Sequence, residues 1–493
     1  LNPSRTLREA LVTLFVHAFF SAGLLAQFSD TVYFSRQKMR ADIEEMVERI
    51  TLSHPDPFGF VTPENFGRQV EKTLVSLPDS ATYGQFAVHV ADVLNALRDS
   101  HTCLDYTALL NHQLEHDGYF MPVQVITDNG HVHIRKDRDS ILPAGARLLS
   151  LNGHSADSLW QLARRYACIE GDAELGRNRV ADAIFPIVCG MHFTITPKLT
   201  VDVTPVDSVD IYRHTYRCYN EARWRERRKI IRKEEEHPVR LSYPEEGIAH
   251  LVVETFAPEN SAKYGNAIRK AFRSIRDSPP QALIIDIRDN GGGSSSWVEY
   301  LYSFIDEQGY NTPNNIIGRN SELARSRVRA MNKSFSRFIL KTFYRKNEDV
   351  QGILRITGGK EGRNDTLFFR EPSLQRKSLV YTGACVLLMN GMTASAGVDF
   401  SNQFIRSGRG KSFGEPCFGP TSGTWGNPAR HVLRHSKIPV YISTIRYNYD
   451  QTFQFVREAI HPAYPVNPDM HALSTGKDAV LARALEYIRT NHP

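Results

Sequence analysis

Apolar and polar positions change their period several times along this chain. From about Ser35 to Arg98 the spacing is three and four: "MRADIEEMVERI" and "TYGQFAVHVADVLNALRDS" each place one apolar stripe on a helix. From Tyr119 the period falls to two. "YFMPVQVITDNGHVHIRKD" predicts a β-hairpin turning at Asn129-Gly130. "LPAGARLLSLNGHSADSLWQLARRY" reads strand, turn, helix. Residues 219–237, "YNEARWRERRKIIRKEEEH", are charged on every side and predict a solvated helix or linker. Beyond them strands and helices alternate: "GIAHLVVETF", "SAKYGNAIRKAFRSIRD", "ALIIDIRDNGGGSSSWVEYLYSFI", "SLVYTGACVLLMNGMTASAGVDFSNQFIRSG" and a closing helix in "GKDAVLARALEYI". That alternation predicts an α/β domain with a mostly parallel sheet.

The pattern divides the chain into a leader-like segment at 1–26, a helical part at 27–117, a β-rich module at 118–218, a charged linker at 219–240 and the α/β domain at 241–493. The first segment has Arg5 and Arg8, then an apolar stretch from Ala10 to Leu25 that ends in small residues. This is the layout of a secretory signal, so the expectation is an exported protein, periplasmic or secreted, without a stable membrane span. Composition adds little: 493 residues, 41% apolar, 23% charged, net charge +6, with no long basic stripe to suggest nucleic acid as a partner. The six cysteines are widely spaced and contain no CxxC pair; in an exported protein some could be bridged, and spacing does not say which.

Two motifs mislead. "HQLEH" at 112–116 has the order of a zinc-peptidase motif, but Asp117-Gly118 ends the segment at once. "RSGRGKS" ends like a phosphate loop, yet Ile405 stands where the first glycine belongs. No metal and no cofactor is expected.

Two glycine-rich turns follow apolar strands of the α/β domain, where such sheets place their chemistry. "DIRDNGGG" holds Gly291 to Gly293, and "NGMTASAG" sets Ser395 at a strand-to-helix turn. Backbone amides of a glycine turn and of a helix start can stabilise a developing oxyanion. In this order and spacing, "LIIDIRDNGGG", "VLLMNGMTASAG", "SFGEPCFG" and "HPAYPVNPDM…GKDAVLARALEYI" resemble the tail-specific, or C-terminal-processing, serine peptidase superfamily. The resemblance covers roughly residues 245–490. It implies a core with the fold shared by the Clp protease and crotonase, a helical N-terminal part, and a PDZ-like middle module, to which "LPAGARLLSLNG" is similar.

The resemblance makes Ser395 the nucleophile, with the amides of Ala396 and of Gly292 or Gly293 as the oxyanion hole. Many members carry a base lysine after "GEP"; here the stretch is "GEPCFGPTS", with Pro420 at that place, and Lys411 lies elsewhere. "LRDSHTCL" instead resembles the Ser-His pair of the tricorn-type branch, with Ser100 beside His101 as the base. Imidazole suits general-base work near neutral pH. The same branch takes a glutamate from the C-terminal stretch, which points to Glu458 in "FVREAIHP", with Asp469, Glu415 and Asp399 as alternatives. The expected activity is that of an exported serine endopeptidase acting on unfolded or C-terminal peptide segments. The rival from another class is a non-catalytic protein on the same fold that binds a peptide or an apolar ligand.

Overall fold

The computed structural model describes residues 33–116, 118–192, 197–234, 237–307, 315–331, 358–368, 379–449 and 456–491. The leader-like segment lies outside them. Helices α1 (Arg36–Ser53), α2 (Pro63–Ser76), α3 (Tyr83–Asn95) and α4 (Tyr106–Glu115) come first. Each begins at a side-chain cap: Ser35, Thr62, Thr82 and Asp105 accept backbone amides of the first turn. Thr82 and Gln85 complete a capping box.

The next strands are β1 (Val123–Asp128), β2 (His131–Asp137), β3 (Arg147–Leu151), β4 (Lys198–Thr204) and β5 (Tyr212–Arg217), paired antiparallel in that order. Asn129 and Gly130 take φ of 48° and 80°, the left-handed pair that a two-residue hairpin needs. Helices α5 (Ala156–Tyr166) and α6 (Glu174–His192) pack on this sheet. A PDZ identity for the module is not confirmed. The Arg147–Leu151 strand and its Asn152-Gly153 turn are present, but a buried 19-residue helix, α6, occupies the sheet's face. One hydrophobic core runs through helices and sheet together, from Met39, Phe86 and Val93 to Val132, Leu148 and Val201. The charged stretch forms helix α7 (Glu221–Glu234).

The α/β domain is built on β6 (Val239–Glu245), β7 (Ile248–Val253), α8 (Ser261–Asp277), β8 (Ala282–Asp286), α9 (Ser295–Tyr302), β9 (Asn315–Arg319), β10 (Asn364–Phe368), β11 (Ala384–Met389), α10 (Ala396–Arg406), β12 (Lys411–Gly414), β13 (Gly423–Gly426), β14 (Ala429–Val432), β15 (Pro439–Ile442), β16 (Ile445–Asn448), β17 (Tyr464–Pro465) and α11 (Ala479–Asn491). The main sheet has the order β17-β12-β11-β8-β7-β6, parallel throughout except β6 at its edge. Period-two alternation buries both faces. Leu251, Leu283, Ile285 and Leu387 meet α8, α9 and α10 on one side; Ile284, Val386 and Leu388 meet Ala484, Leu485 and Ile488 of α11 on the other. A four-stranded antiparallel sheet, β10-β9-β16-β13, lies beyond the main one. The β14–β15 hairpin joins the N-terminal core instead, through Val440 and Ile442.

Candidate active site

The two glycine turns stand at the ends of neighbouring parallel strands, β8 and β11, and are bonded to each other. The Asp289 amide donates to Asn390 Oδ1 (2.9 Å), and Asn390 Nδ2 donates to Asp289 Oδ1 (2.9 Å). The Ala394 amide donates to the Asn290 carbonyl (3.0 Å), and Thr393 Oγ1 donates to the Ile287 carbonyl (3.1 Å). Asn290 is fully buried, and its amide group donates to the Val253 carbonyl on the next strand (2.9 Å).

Ser395 sits at the cap of α10 with φ 51° and ψ −119°, a conformation that non-glycine residues rarely adopt. Such strain persists only where the surroundings impose it, and a strained serine on a strand-to-helix turn is the geometry of an exposed nucleophile. Among the described residues its side chain makes no capping bond to the helix, unlike the caps of α1 to α4. Gly292 shows why this turn needs a glycine. Its φ is 97°, and a Cβ there would fall 2.7 Å from Ser395 Cβ and 2.8 Å from the Ala396 nitrogen. The Gly292 amide already donates to Asn290 Oδ1 at 2.9 Å. That leaves Gly293, φ 144°, as the glycine of this turn better placed to offer an amide alongside Ala396.

The histidine turn is held differently. It follows α3, and its organiser is Asp99, which the sequence reading did not single out. Asp99 Oδ1 accepts the His101 backbone amide (2.9 Å) and lies 3.8 Å from His101 Nδ1. Asp99 Oδ2 faces His54 Nε2 (3.0 Å) and accepts from Thr102 Oγ1 and Ser443 Oγ, both at 2.6 Å. Burial alone would push this carboxyl up. The His54 hydrogen bond and charge, His101, and the Ser443 hydroxyl hold it instead at about 2, so it stays ionised. Ser100 Oγ lies 3.4 Å from His101 Nδ1. Burial lowers the His101 pKa against the pull of Asp99, so the imidazole is neutral at pH 7 and free to accept a proton. The ring keeps 19% of its side chain exposed, enough to be reached.

A second carboxylate, Glu170, also escaped the sequence reading. Its Oε2 accepts the Ser100 amide (2.7 Å) and its Oε1 accepts Thr424 Oγ1 (2.9 Å). Ligand-type atoms of Asp99, His101 and Glu170 all lie within 4.8 Å of one another. Burial and the Asp99 charge raise the Glu170 carboxyl to about 8, so this acid is protonated where Asp99 is ionised. The Glu458 side chain is 80% exposed and lies 3.8 Å from His461, while the carbonyl of its neighbour Arg457 accepts the Asp172 amide (2.7 Å). Among the alternatives, Asp399 is buried on the first turn of α10, and Asp469 caps a short helix through the Ala472 amide. Glu415 accepts the Gly391 amide (3.1 Å) and is clamped by Arg179 of α6 (2.5 Å), both side chains buried. Lys411 is exposed at the start of β12, and Pro420 is buried, bridged to Ala459.

One stretch of chain ties the Ser395 turn to the His101 turn. Phe418 pairs with Ala394, its amide donating to the Thr393 carbonyl (2.9 Å); farther along, Thr424 holds Glu170. Helix α6 braces the same region. A methyl on Gly176 would fall 2.1 Å from the Phe418 ring, and Arg179 reaches Glu415 from the next turn.

Residues 247–466 match the model of peptidase family S41. Among solved structures, a point mutant of CPAF is similar at 11% identity and TM-score 0.64, over 93% of this chain and 98% of that one. Mature CPAF is similar at 11% identity and TM-score 0.59, over 92% and 96%. Mature CPAF complexed with lactacystin is similar at 10% identity and TM-score 0.59, over 92% and 97%. At such identities the likeness is one of fold. No curated protein matches by sequence. Residues 247–466 thus match peptidase family S41, and the match indicates a serine-type peptidase.

Proposed function

We propose that the chain is an exported endopeptidase that cleaves unfolded or C-terminal peptide segments by acyl transfer, with Ser395 as nucleophile and His101 as base. The observation that carries the reading is the strained Ser395, held at the start of α10 against Gly292. Neutral His101 takes the hydroxyl proton as Ser395 Oγ attacks the scissile carbonyl. The amides of Ala396 and Gly293 receive the negative charge of the tetrahedral intermediate. His101, now charged, hands its proton to the leaving amine, and water then releases the acyl group with the same histidine as base. Ionised Asp99 is the acid that steadies the imidazolium, since its carboxylate already faces Nδ1. Glu458 is the competing candidate for that role. Substrate adds as an extended strand beside the two turns. Export rests on the leader-like segment alone. Among the described residues, no helix is long and apolar enough to cross a membrane.

The test is Ser395→Ala, assayed on an unfolded protein such as casein and with a fluorophosphonate probe. Hydrolysis and labelling are both expected to vanish while the circular dichroism spectrum stays that of the wild type. Labelling that persists at another serine would remove Ser395 from this role.

A further inference from the structure

Two of the six cysteines flank the groups that build the histidine turn. Cys103 comes two residues after His101, and Cys168 two residues before Glu170. The segments that carry them run side by side. Asn95 Nδ2 donates to the Arg165 carbonyl (2.8 Å), the Gly171 amide to the Arg98 carbonyl (2.9 Å), and the Ser100 amide to Glu170 (2.7 Å). The Cys168 amide donates to the Tyr106 hydroxyl, which donates in turn to the Tyr166 carbonyl, both at 2.9 Å. Between these contacts the Cys103 and Cys168 thiols are neighbours, each shifting the other's titration, Cys103 upward and Cys168 downward. Cys168 is buried, Cys103 partly exposed, and both are thiols in this structure, as are Cys189, Cys218, Cys385 and Cys417.

We propose that Cys103 and Cys168 form a disulfide site, closed by exchange with a low-molecular-weight disulfide, that staples the turn bearing His101 to the loop bearing Glu170. One of the two thiolates attacks a sulfur of the oxidant, forms a mixed disulfide and releases one small thiol. The neighbouring thiolate then attacks the protein sulfur of that mixed disulfide and expels the second small thiol. Two protein thiols lose two protons and two electrons, and the oxidant disulfide takes them up as two thiols. The bond closes a long loop across the N-terminal core, so it restricts the unfolded chain more than the folded one. It also fixes the two backbone stretches in the arrangement they already have.

The full chain is incubated with oxidised glutathione or with dithiothreitol, alkylated, and analysed by intact mass and peptide mapping. The oxidised sample is expected to lose two hydrogens, to yield a peptide pair linked through Cys103 and Cys168, and to leave the other cysteines alkylated after unfolding. Its melting temperature should exceed that of the reduced sample by several degrees. Cys103→Ser and Cys168→Ser should each abolish the link and the difference in melting temperature. Complete alkylation of both residues after oxidation, a lasting glutathione adduct on Cys103, or a link to another cysteine would overturn the site. A linked chain that melts where the reduced chain does would overturn the staple. Neither result depends on the peptidase mechanism, because no readout is activity.

Discussion

The Ser395 turn and the His101 turn are two solutions to the same positioning problem. Around Ser395 the work is done by backbone. Two successive strand ends are zipped by main-chain and asparagine hydrogen bonds, and Gly292 and Gly293 take angles that leave no room for a side chain. Around His101 the work is done by buried polar side chains from distant stretches: His54 and Ser443 bond Asp99, and Glu170, itself held by Thr424, takes the Ser100 amide. A turn made of backbone tolerates no change of shape. A turn held by titratable groups is set by the protonation state of each one, and pH can change it.

The largest expected effect beyond the nucleophile itself tests whether the second turn supplies the base. His101→Ala should cost on the order of 10³-fold in kcat/KM. The wild-type pH profile should fall on the acid side, because a protonated imidazole cannot accept the serine proton. Burial lowers the His101 pKa, so that limb should lie below the ordinary value of about 6.5. A limb well above 7, lost in a lysine variant, would move the base elsewhere.

Next comes the acid that orients it. Asp99→Asn should lower kcat/KM on the order of 10²-fold, as it removes the ionised partner of Nδ1 while keeping the hydrogen-bonding shape. Glu458→Gln should stay within about twofold. The reverse ranking would give the role to Glu458, brought in from its exposed position as substrate binds.

The brace under the Ser395 turn is a buried cluster in which Arg179 pairs with both Glu415 and Asp182. Arg179→Met strands the Glu415 carboxylate beneath the Ser395 turn, which should cost about 3–5 kcal/mol of stability by urea unfolding. The double variant Arg179→Met/Glu415→Met should recover the part of that loss that comes from Glu415, while Asp182 stays without its arginine. Equal losses in single and double variants would mean that Glu415 serves Gly391 alone. The smallest effect is the sharpest control: Lys411→Ala, on an exposed strand start, should leave kcat/KM within about twofold.

The contrast also explains what could be read from the chain alone. Period-two and period-three-to-four patterns located the helix at Ser261–Asp277, the Asn129-Gly130 hairpin and the strands that bury both faces of the main sheet, because burial acts on each residue according to its face. The buried helix α6 carries no clean polar stripe and contains Pro186, so its sequence gives a weak helical signal although it packs on both the sheet and Phe418. Asp99 and Glu170 were hidden for another reason. Acidic residues in a sequence read as solvated, and only contacts made across tens or hundreds of residues withdraw these two from water and push their pKa values apart, to about 2 and about 8.

By itself, then, the sequence determined what depends on neighbours in the chain: the apolar strands, the glycine turns at their ends, and a serine at a helix start. The tertiary structure decided the rest. It set the strain at Ser395, whose backbone angle is held where the Gly292 turn packs against it, and it set the charge state around His101, because a carboxyl's pKa follows its burial and its partners rather than its place in the sequence.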